Sequence, residues 1–471
     1  MVNRWMLLGI LLPAFMVQAE QCELSKQSLP LYELEQKIST RKLTNGLIVR
    51  SLDLTDNNTI SIASQFSVGS RNELQGQTGY AHLFEHLLFE GSEHAPGDVF
   101  EQKMDEIGAR KNASTHFDWT NYYSQFPSYA LELILFLDAD RFISPSLTTD
   151  TINIQKQAVL QERVMRLESQ PYFEPAMDFL LGKIKDTPYG HSVIGSRKDI
   201  KNATRAQLIA FHQKFYRPDN MQLSIVGKLP KQTRKWVDKY FGDWKKPNSL
   251  LESEVEFDIN LEQIKGELVD PKGPWPASLL LWNTVGYNHP DAAAVRLLQA
   301  HLFSDKASLF SINNQYDPDF MIYFPLAQAL ASHGVAGLVI SPRARASLDE
   351  LVTEILQLTE SVKRNGMSQQ RLCYLKQLEL NRMVGNITDD LFLAKRLSAT
   401  SRLDFQHPIT APWERTNVVT VADIQRVANK YFQPNHQIRL DLLPPWYIRW
   451  AKQLLEWLPK GTADSIEEEA L

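Results

Sequence analysis

Cysteine is nearly absent: two residues, Cys22 and Cys373, in a chain of 471. That excludes a disulfide-dense scaffold and a metal site built from thiolates, since neither cysteine belongs to a Cys/His cluster. Basic blocks are absent too. The 50 Lys and Arg residues are dispersed among 55 acidic ones, for a net charge of −5, which gives no electrostatic footprint for nucleic acid. No apolar run is long enough for a confident membrane span; the one near the start, Trp5 to Phe15, is too short. With 43% hydrophobic and 22% charged residues the composition is globular rather than disordered. The length exceeds what one ordinary core accommodates and implies two to four domains.

The first residues read as a secretory leader, residues 1–19. Arg4 supplies the positive region, Trp5 to Phe15 the apolar one, and Val17-Gln18-Ala19 a small-x-small cleavage site. The alternative is a retained N-terminal anchor. Cys22 follows no lipobox. A mature chain beginning near Glu20 would be periplasmic or secreted. There Cys22 and Cys373 could form one disulfide; the alternative is two unrelated thiols.

Period-2 alternation in 59–68 (Ile60, Ile62, Ser64, Phe66, Val68) predicts a strand. Asn45-Gly46 between apolar residues predicts a hairpin. Residues 79–90 predict a helix, with Thr78 as N-cap and Gly91 after its end. Residues 112–126, rich in aromatics, read as one strand; 128–143 and 150–168 read as helices, the second capped by Asp150. An internal repeat follows. Thr204 to Pro218 leads into an alternating strand from Met221, and Thr420 to Pro434 into another from Ile438, at a constant offset of 216 residues. The fold class implied is α+β, with two tandem homologous domains in which helices pack on antiparallel-rich sheets. Their ranges are 20–250 and 251–445, followed by an extension, 446–471. Residues 444–459 of that region carry Trp446, Tyr447, Trp450, Leu454 and Trp457 with Arg449 and Lys452 between. Such an amphipathic helix either lies on a membrane surface or docks on its own protein, and docking is the commoner outcome.

The chemistry is concentrated in His82-Leu83-Phe84-Glu85-His86. Residues i and i+4 share a helix face, so two imidazoles can reach one ion, with Glu85 placed to reach a water on it. The surrounding helix is otherwise apolar. Burying two histidines and a glutamate there is costly without a partner, and a metal is the simplest partner. The second half has no such motif. His94, His116 and His191 read as structural or surface residues, and Tyr189 as packing.

These residues resemble the pitrilysin/insulinase family of zinc metallopeptidases, and the size is similar to its bacterial members akin to the mitochondrial processing peptidase. The likeness spans roughly 40–445. It rests on the motif, on Ala158-Val159-Leu160-Gln161-Glu162-Arg163, on Gly108, on Asn112-Ala113-Ser114-Thr115 with Asp118, Thr120 and Tyr122, and on Pro188-Tyr189-Gly190-His191 leading to Ile194-Gly195. The resemblance implies half of a clamshell and one Zn2+ held by His82, His86 and Glu162. Glu85 would be the general base toward a metal-activated water, and the reaction endopeptidase hydrolysis of extended peptides. Asn112 and Ala113 would sit on an edge strand that pairs with substrate backbone, an ordinary strand being the alternative. Two departures stand out. Gln155 occupies a position seven before the ligand glutamate where the family usually has an acid; it can hydrogen-bond behind the ligands but supplies no charge. Asn314 stands where substrate-gripping relatives carry an Arg, with Tyr323 as a loose match for their Tyr. The resemblance therefore implies a heterodimer with a homologous subunit lacking the zinc motif, or otherwise a homodimer. The competing reading is a catalytically inactive scaffold or partner subunit.

Overall fold

A computed structural model describes residues 22, 24–54, 58–248, 263–304, 306–314, 320–343, 346–399, 406–455, 457, 462 and 465. The leader expected at 1–19 and the join expected at 250/251 lie outside these residues. Asn45-Gly46 makes the expected turn between β1 (Ser39–Lys42) and β2 (Ile48–Asp53), and Asn45 Nδ2 donates to the carbonyls of Phe241 (2.7 Å) and Trp244 (3.1 Å). That local turn is thus also tied to the far end of the first half. The remaining strands of the half are β3 (Thr59–Phe66), β4 (Arg110–Thr115), β5 (Thr120–Pro127) and β6 (Met221–Gly227). They form one sheet in the order β1-β2-β6-β3-β5-β4.

The second half repeats the plan with β7 (Ile264–Val269), β8 (Ala277–Val285), β9 (Phe320–Ala329), β10 (His333–Pro342) and β11 (Gln437–Leu443), in the order β7-β11-β8-β10-β9. β2 runs parallel to β6 as β7 does to β11, and the other neighbours are antiparallel. The repeat read in the sequence is physically the same device twice. Thr204 and Thr420 each close a capping box, with Gln207 and Asp423, at the start of helices Arg205–Phe215 and Val421–Tyr431. Each helix is followed by a 3-10 turn opening on proline, then by β6 or β11.

Each half lends helices to the other's sheet. On the first sheet's outer face, Leu52, Ala63 and Val226 pack with Leu393, Ala394 and Leu397 of helix Asp390–Ser398, and with Leu31 and Leu34 of helix Ser25–Glu35. The fully buried Arg50 donates to Gln222 (2.7 Å) and to the Leu397 carbonyl (3.1 Å). In return, Ala176, Phe179 and Leu180 of helix Phe173–Gly182 lie against Leu279, Leu281 and Leu440 of the second sheet. Each half thus buries part of the other's sheet.

Four expectations need correction. Residues 112–126 are not one strand but the hairpin β4–β5, reversed at 116–119, where the His116 amide bonds the Trp119 carbonyl (2.8 Å) and the two rings stack at 3.9 Å. The helix expected over 79–90 is Tyr80–Leu87, and Thr78 does not cap it; its hydroxyl donates to Asp199 instead (2.6 Å). The helix expected over 150–168 is Thr149–Arg163, capped not by Asp150 but by Thr148, whose hydroxyl accepts from the Thr151 amide (3.1 Å), and it continues as a π turn over Val164–Glu168. Helix Trp446–Leu455 does not dock its aromatic face: Trp446 is 72% exposed and Trp457, beyond its end, 87%.

Cys22 and Cys373 form a disulfide, with Cα atoms 5.4 Å apart, that fastens the N-terminal segment to helix Gln369–Asn386. Because this bond restricts the unfolded chain, a C22S/C373S double variant should lose about 2–4 kcal/mol of stability. Denaturant titration of the variant against the oxidised protein measures it; equal midpoints would show that the bond contributes nothing.

Candidate metal centre

Helix Tyr80–Leu87 is apolar on most of its circumference. Tyr80, Leu83, Phe84 and Leu87 are buried in the first core, and Phe84 stacks on Phe211 with ring centroids 5.5 Å apart. The remaining face carries His82 and His86 and meets helix Thr149–Arg163, which supplies Glu162. Glu162 Oε2 lies 3.4 Å from His82 Nε2 and 3.2 Å from His86 Nε2, and ligand atoms of all three residues fall within 4.8 Å of one another. Ligands about 2.0–2.1 Å from a tetrahedral ion are themselves roughly 3.3 Å apart, so these spacings suit zinc, as does a set of two imidazoles and a carboxylate. Among the described residues no other group of three or more such side chains converges this way.

The start of the histidine helix is held by groups that sequence reasoning missed. Glu73, its side chain fully buried, accepts from the amides of Gly79 and Ala81, each at 2.7 Å. It satisfies two donors that a helix start leaves open. Burial pushes the Glu73 carboxyl well above its ordinary range, against the pull of those amides. Gly79 has φ +91°, and a Cβ there would meet the Ile194 carbonyl oxygen at 2.7 Å; Gly195, at φ +79°, has equally little room against Thr78 and Gly79. The Gly195 carbonyl accepts from Arg163 Nη1 (3.1 Å) on the helix that carries Glu162. Both donor-bearing helices are thus registered through one point of backbone contact.

Glu85 Oε2 accepts from the Thr115 hydroxyl on β4 at 2.5 Å. Burial raises the Glu85 pKa, and the Thr115 bond holds it back. Burial lowers His82 to about 4, keeping its imidazole in the neutral form that can ligate. Glu162 is lowered chiefly by its bond to His86, and Arg166 Nε lies 2.7 Å from its other oxygen, leaving Oε2 to face the imidazoles. Gln155, two turns before Glu162 on the same helix, is buried and hydrogen-bonds the His86 side chain.

Asn112 and Ala113 lie on β4, the sheet's edge. Ala113 is buried; Asn112 is exposed and its Oδ1 accepts from the Ala113 amide (2.8 Å). His94 pairs with Asp140 (2.7 Å), His116 stacks on Trp119, His191 sits 3.7 Å from Glu73, and none joins the donor set. Tyr189 is buried and donates to Asp118 (2.6 Å). In the second half, Asn314 Nδ2 donates to the Phe310 carbonyl and to Glu354, both at 3.0 Å, and Tyr323 packs on Phe310 with centroids 4.8 Å apart. Both are engaged within their own half. Glu73 gave no signal in the sequence because a lone loop acid has no diagnostic spacing, and Thr115 stood within the Asn112-Ala113-Ser114-Thr115 match with no role of its own.

The sequence model described as Insulinase (Peptidase family M16) matches residues 49–195, and that described as Peptidase M16 inactive domain matches 202–378. A Helicobacter pylori protein named zinc protease PqqE is 27% identical over 432 residues, 85% of this chain and 92% of that one. The crystal structure of a protease from Helicobacter pylori is similar with a TM-score of 0.79 at 24% identity, over 87% of this chain and 100% of that chain. The periplasmic protease PqqL from Escherichia coli is similar with a TM-score of 0.70 at 15% identity; the likeness covers 92% of this chain but 50% of that one.

The Glu73 cap gives a direct test of how the histidines are held. Glu73→Gln keeps the shape but accepts through one oxygen only, leaving a buried amide unsatisfied at a cost of about 1–3 kcal/mol. The variant should unfold at lower denaturant and release zinc to a chelator faster than the parent. Unchanged chelation would remove Glu73 from any part in placing the histidines.

Proposed function

The chain belongs to the insulinase (M16) peptidase family, and on that premise we propose that it is a zinc-dependent endopeptidase of the periplasm or extracellular space acting on extended peptides. The observation that carries this reading is the convergence of His82, His86 and Glu162 with Glu85 beside them, held by Thr115. The match to an inactive domain begins at residue 202, beyond the histidine motif and Glu162, and so does not bear on them. Bound zinc would supply Lewis acidity, lowering the pKa of water and polarising the scissile carbonyl. Glu85 takes the proton of the attacking water and returns it to the leaving amine. Burial raises the pKa of its carboxyl, the direction that favours accepting a proton. Gln155 orients His86, and the β4 edge at Asn112 and Ala113 pairs with the substrate backbone so that its length, rather than its sequence, is recognised first.

His86→Ala should bind zinc poorly by elemental analysis. Glu85→Gln should keep zinc and fold while peptide hydrolysis falls about 10²–10⁴-fold. Near-normal turnover in Glu85→Gln would remove Glu85 from the base role, whereas a parent protein that binds zinc and cleaves no peptide would favour the second reading, a catalytically inactive partner subunit, which the neutral Gln155 keeps open.

The disulfide supports an oxidising compartment, and the relative PqqL is named periplasmic. No described helix is long and apolar enough to cross a membrane. This chain corresponds to half of PqqL, which supports work in pairs: with a homologue lacking the zinc motif but carrying the missing arginine, or with a second copy. The exposed aromatic helix Trp446–Leu455 offers that pair, or a membrane surface, a contact. Protein isolated from the envelope should begin near Glu20 and elute as a dimer. A monomer that begins at Met1 and has full peptidase activity contradicts this.

A further inference from the structure

The outer face of the first sheet, which receives helices from the second half, carries a row of polar side chains. Gln65 on β3 is the direct cross-strand neighbour of Asn121 on β5, and Asn121 that of Ser114 on β4. Residues paired in this way share a face, so the three stand side by side. Gln65 is 2% exposed, and neither its Nε2 nor its Oε1 is hydrogen-bonded. Asn121 is 3% exposed; its Nδ2 donates to the Ser398 hydroxyl (3.4 Å), but its Oδ1 has no partner. All three residues line a cavity of about 550 Å³ whose other walls come from the second half.

Those other walls are cationic. Arg296 comes from helix Ala292–Gln299, Arg382 from helix Gln369–Asn386, and Lys395 and Arg396 from helix Asp390–Ser398. Among the described residues one carboxylate, Glu379, lines the space with them, which leaves the walls at +3. Glu379 is already shared between Arg296 (3.3 Å) and Arg382 (2.9 Å). Arg396 donates through Nε to the Pro408 carbonyl (2.9 Å), but its Nη2 is buried without a partner. Burial, then repulsion from Arg415 and Arg296, pushes the Arg396 guanidinium down to about 10. Arg382 is 61% exposed, so the cavity reaches solvent on its side.

One space thus leaves two needs open: an anion for the guanidinium groups, and groups that both donate and accept for the side-chain amides of Gln65 and Asn121. Buried polar atoms without partners are costly, and a cluster of them around one cavity marks a place that a polar ligand completes. Guanidinium groups reaching in from three helices approach from different directions, which suits the terminal oxygens of a tetrahedral phosphate better than a planar carboxylate. A phosphate monoester brings a charge of about −2 against the cationic walls. Hydroxyl groups both donate and accept, as the amides require. The volume is that of a small-molecule site and exceeds what inorganic phosphate fills. We propose that this cavity binds a small phosphorylated polyol, with its phosphate among the arginines and its hydroxyls on Gln65 and Asn121. The site does not depend on the peptidase reading. Because both halves build it, the ligand fits only the folded chain and stabilises it by mass action.

The full chain is titrated by calorimetry with glucose 6-phosphate, inorganic phosphate, glucose and citrate, both with zinc and after chelation. Glucose 6-phosphate should bind about tenfold tighter than inorganic phosphate, and glucose far more weakly than either. The ester should also raise the melting temperature with increasing concentration. Arg396→Met and Arg382→Gln should each weaken both phosphates about tenfold, the loss of one charge-assisted hydrogen bond. Arg382 lies at the surface, so its variant carries the test should Arg396→Met not fold. Gln65→Leu should weaken the ester and leave inorganic phosphate unchanged. Absence of binding by either phosphate overturns the proposal, as does binding that survives both arginine variants. Binding that is lost on chelation places the anion on the metal and overturns it as well. Citrate binding as tightly as the ester overturns the choice of phosphate. An ester no tighter than inorganic phosphate, or unaffected by Gln65→Leu, overturns the polyol assignment.

Discussion

The structure depends on the rigid start of the histidine helix. Two imidazoles can meet one carboxylate from another helix only if both helices keep their register to within a fraction of an ångström. That register is set by a buried carboxylate, Glu73, on the helix's first amides and by two glycines whose backbones touch, one of them bonded to Arg163 on the opposing helix. The apolar body of the helix, packed on Phe211 and the first core, supplies the force, and the cap supplies the position. Polar groups placed this deep are affordable because each has a partner, or lies where an ion would be one.

What could be read in the sequence was whatever depends on periodicity or spacing. The i,i+4 histidines, the strand at β3 and the 216-residue repeat all have local signatures, and the structure shows them as a helix face, a central strand and a duplicated sheet. The β4–β5 hairpin was hidden because its reversal, His116-Phe117-Asp118-Trp119, contains neither Gly nor Pro nor Asn, so the aromatic run read as continuous. The end of the Glu162 helix was misjudged because Val164–Glu168 keeps helical composition while its hydrogen bonding shifts by one residue. The fate of the C-terminal aromatic face was likewise open: amphipathicity says that a stripe exists, not what it meets.

Duplication explains both the economy of the fold and its asymmetry. The two sheets share strand order and orientation, and each is covered in part by helices from the other half. One copy kept a donor set; in the other, Asn314 and Tyr323 turn inward to their own neighbours. Mutual burial ties the halves together even though their chemistry has diverged, and a change in the second half can be felt at β2 and β6 of the first sheet, where Arg50 and Ser224 donate to carbonyls of the Asp390–Ser398 helix.

An open edge strand is a template for any chain that meets it, including another copy of the same protein. At β4 the Asn112 side chain occupies the Ala113 amide like a removable plug. The plug is a single neutral hydrogen bond, weak enough for a well-aligned backbone to displace and strong enough to discourage casual pairing. One short side chain thus guards the edge against self-association.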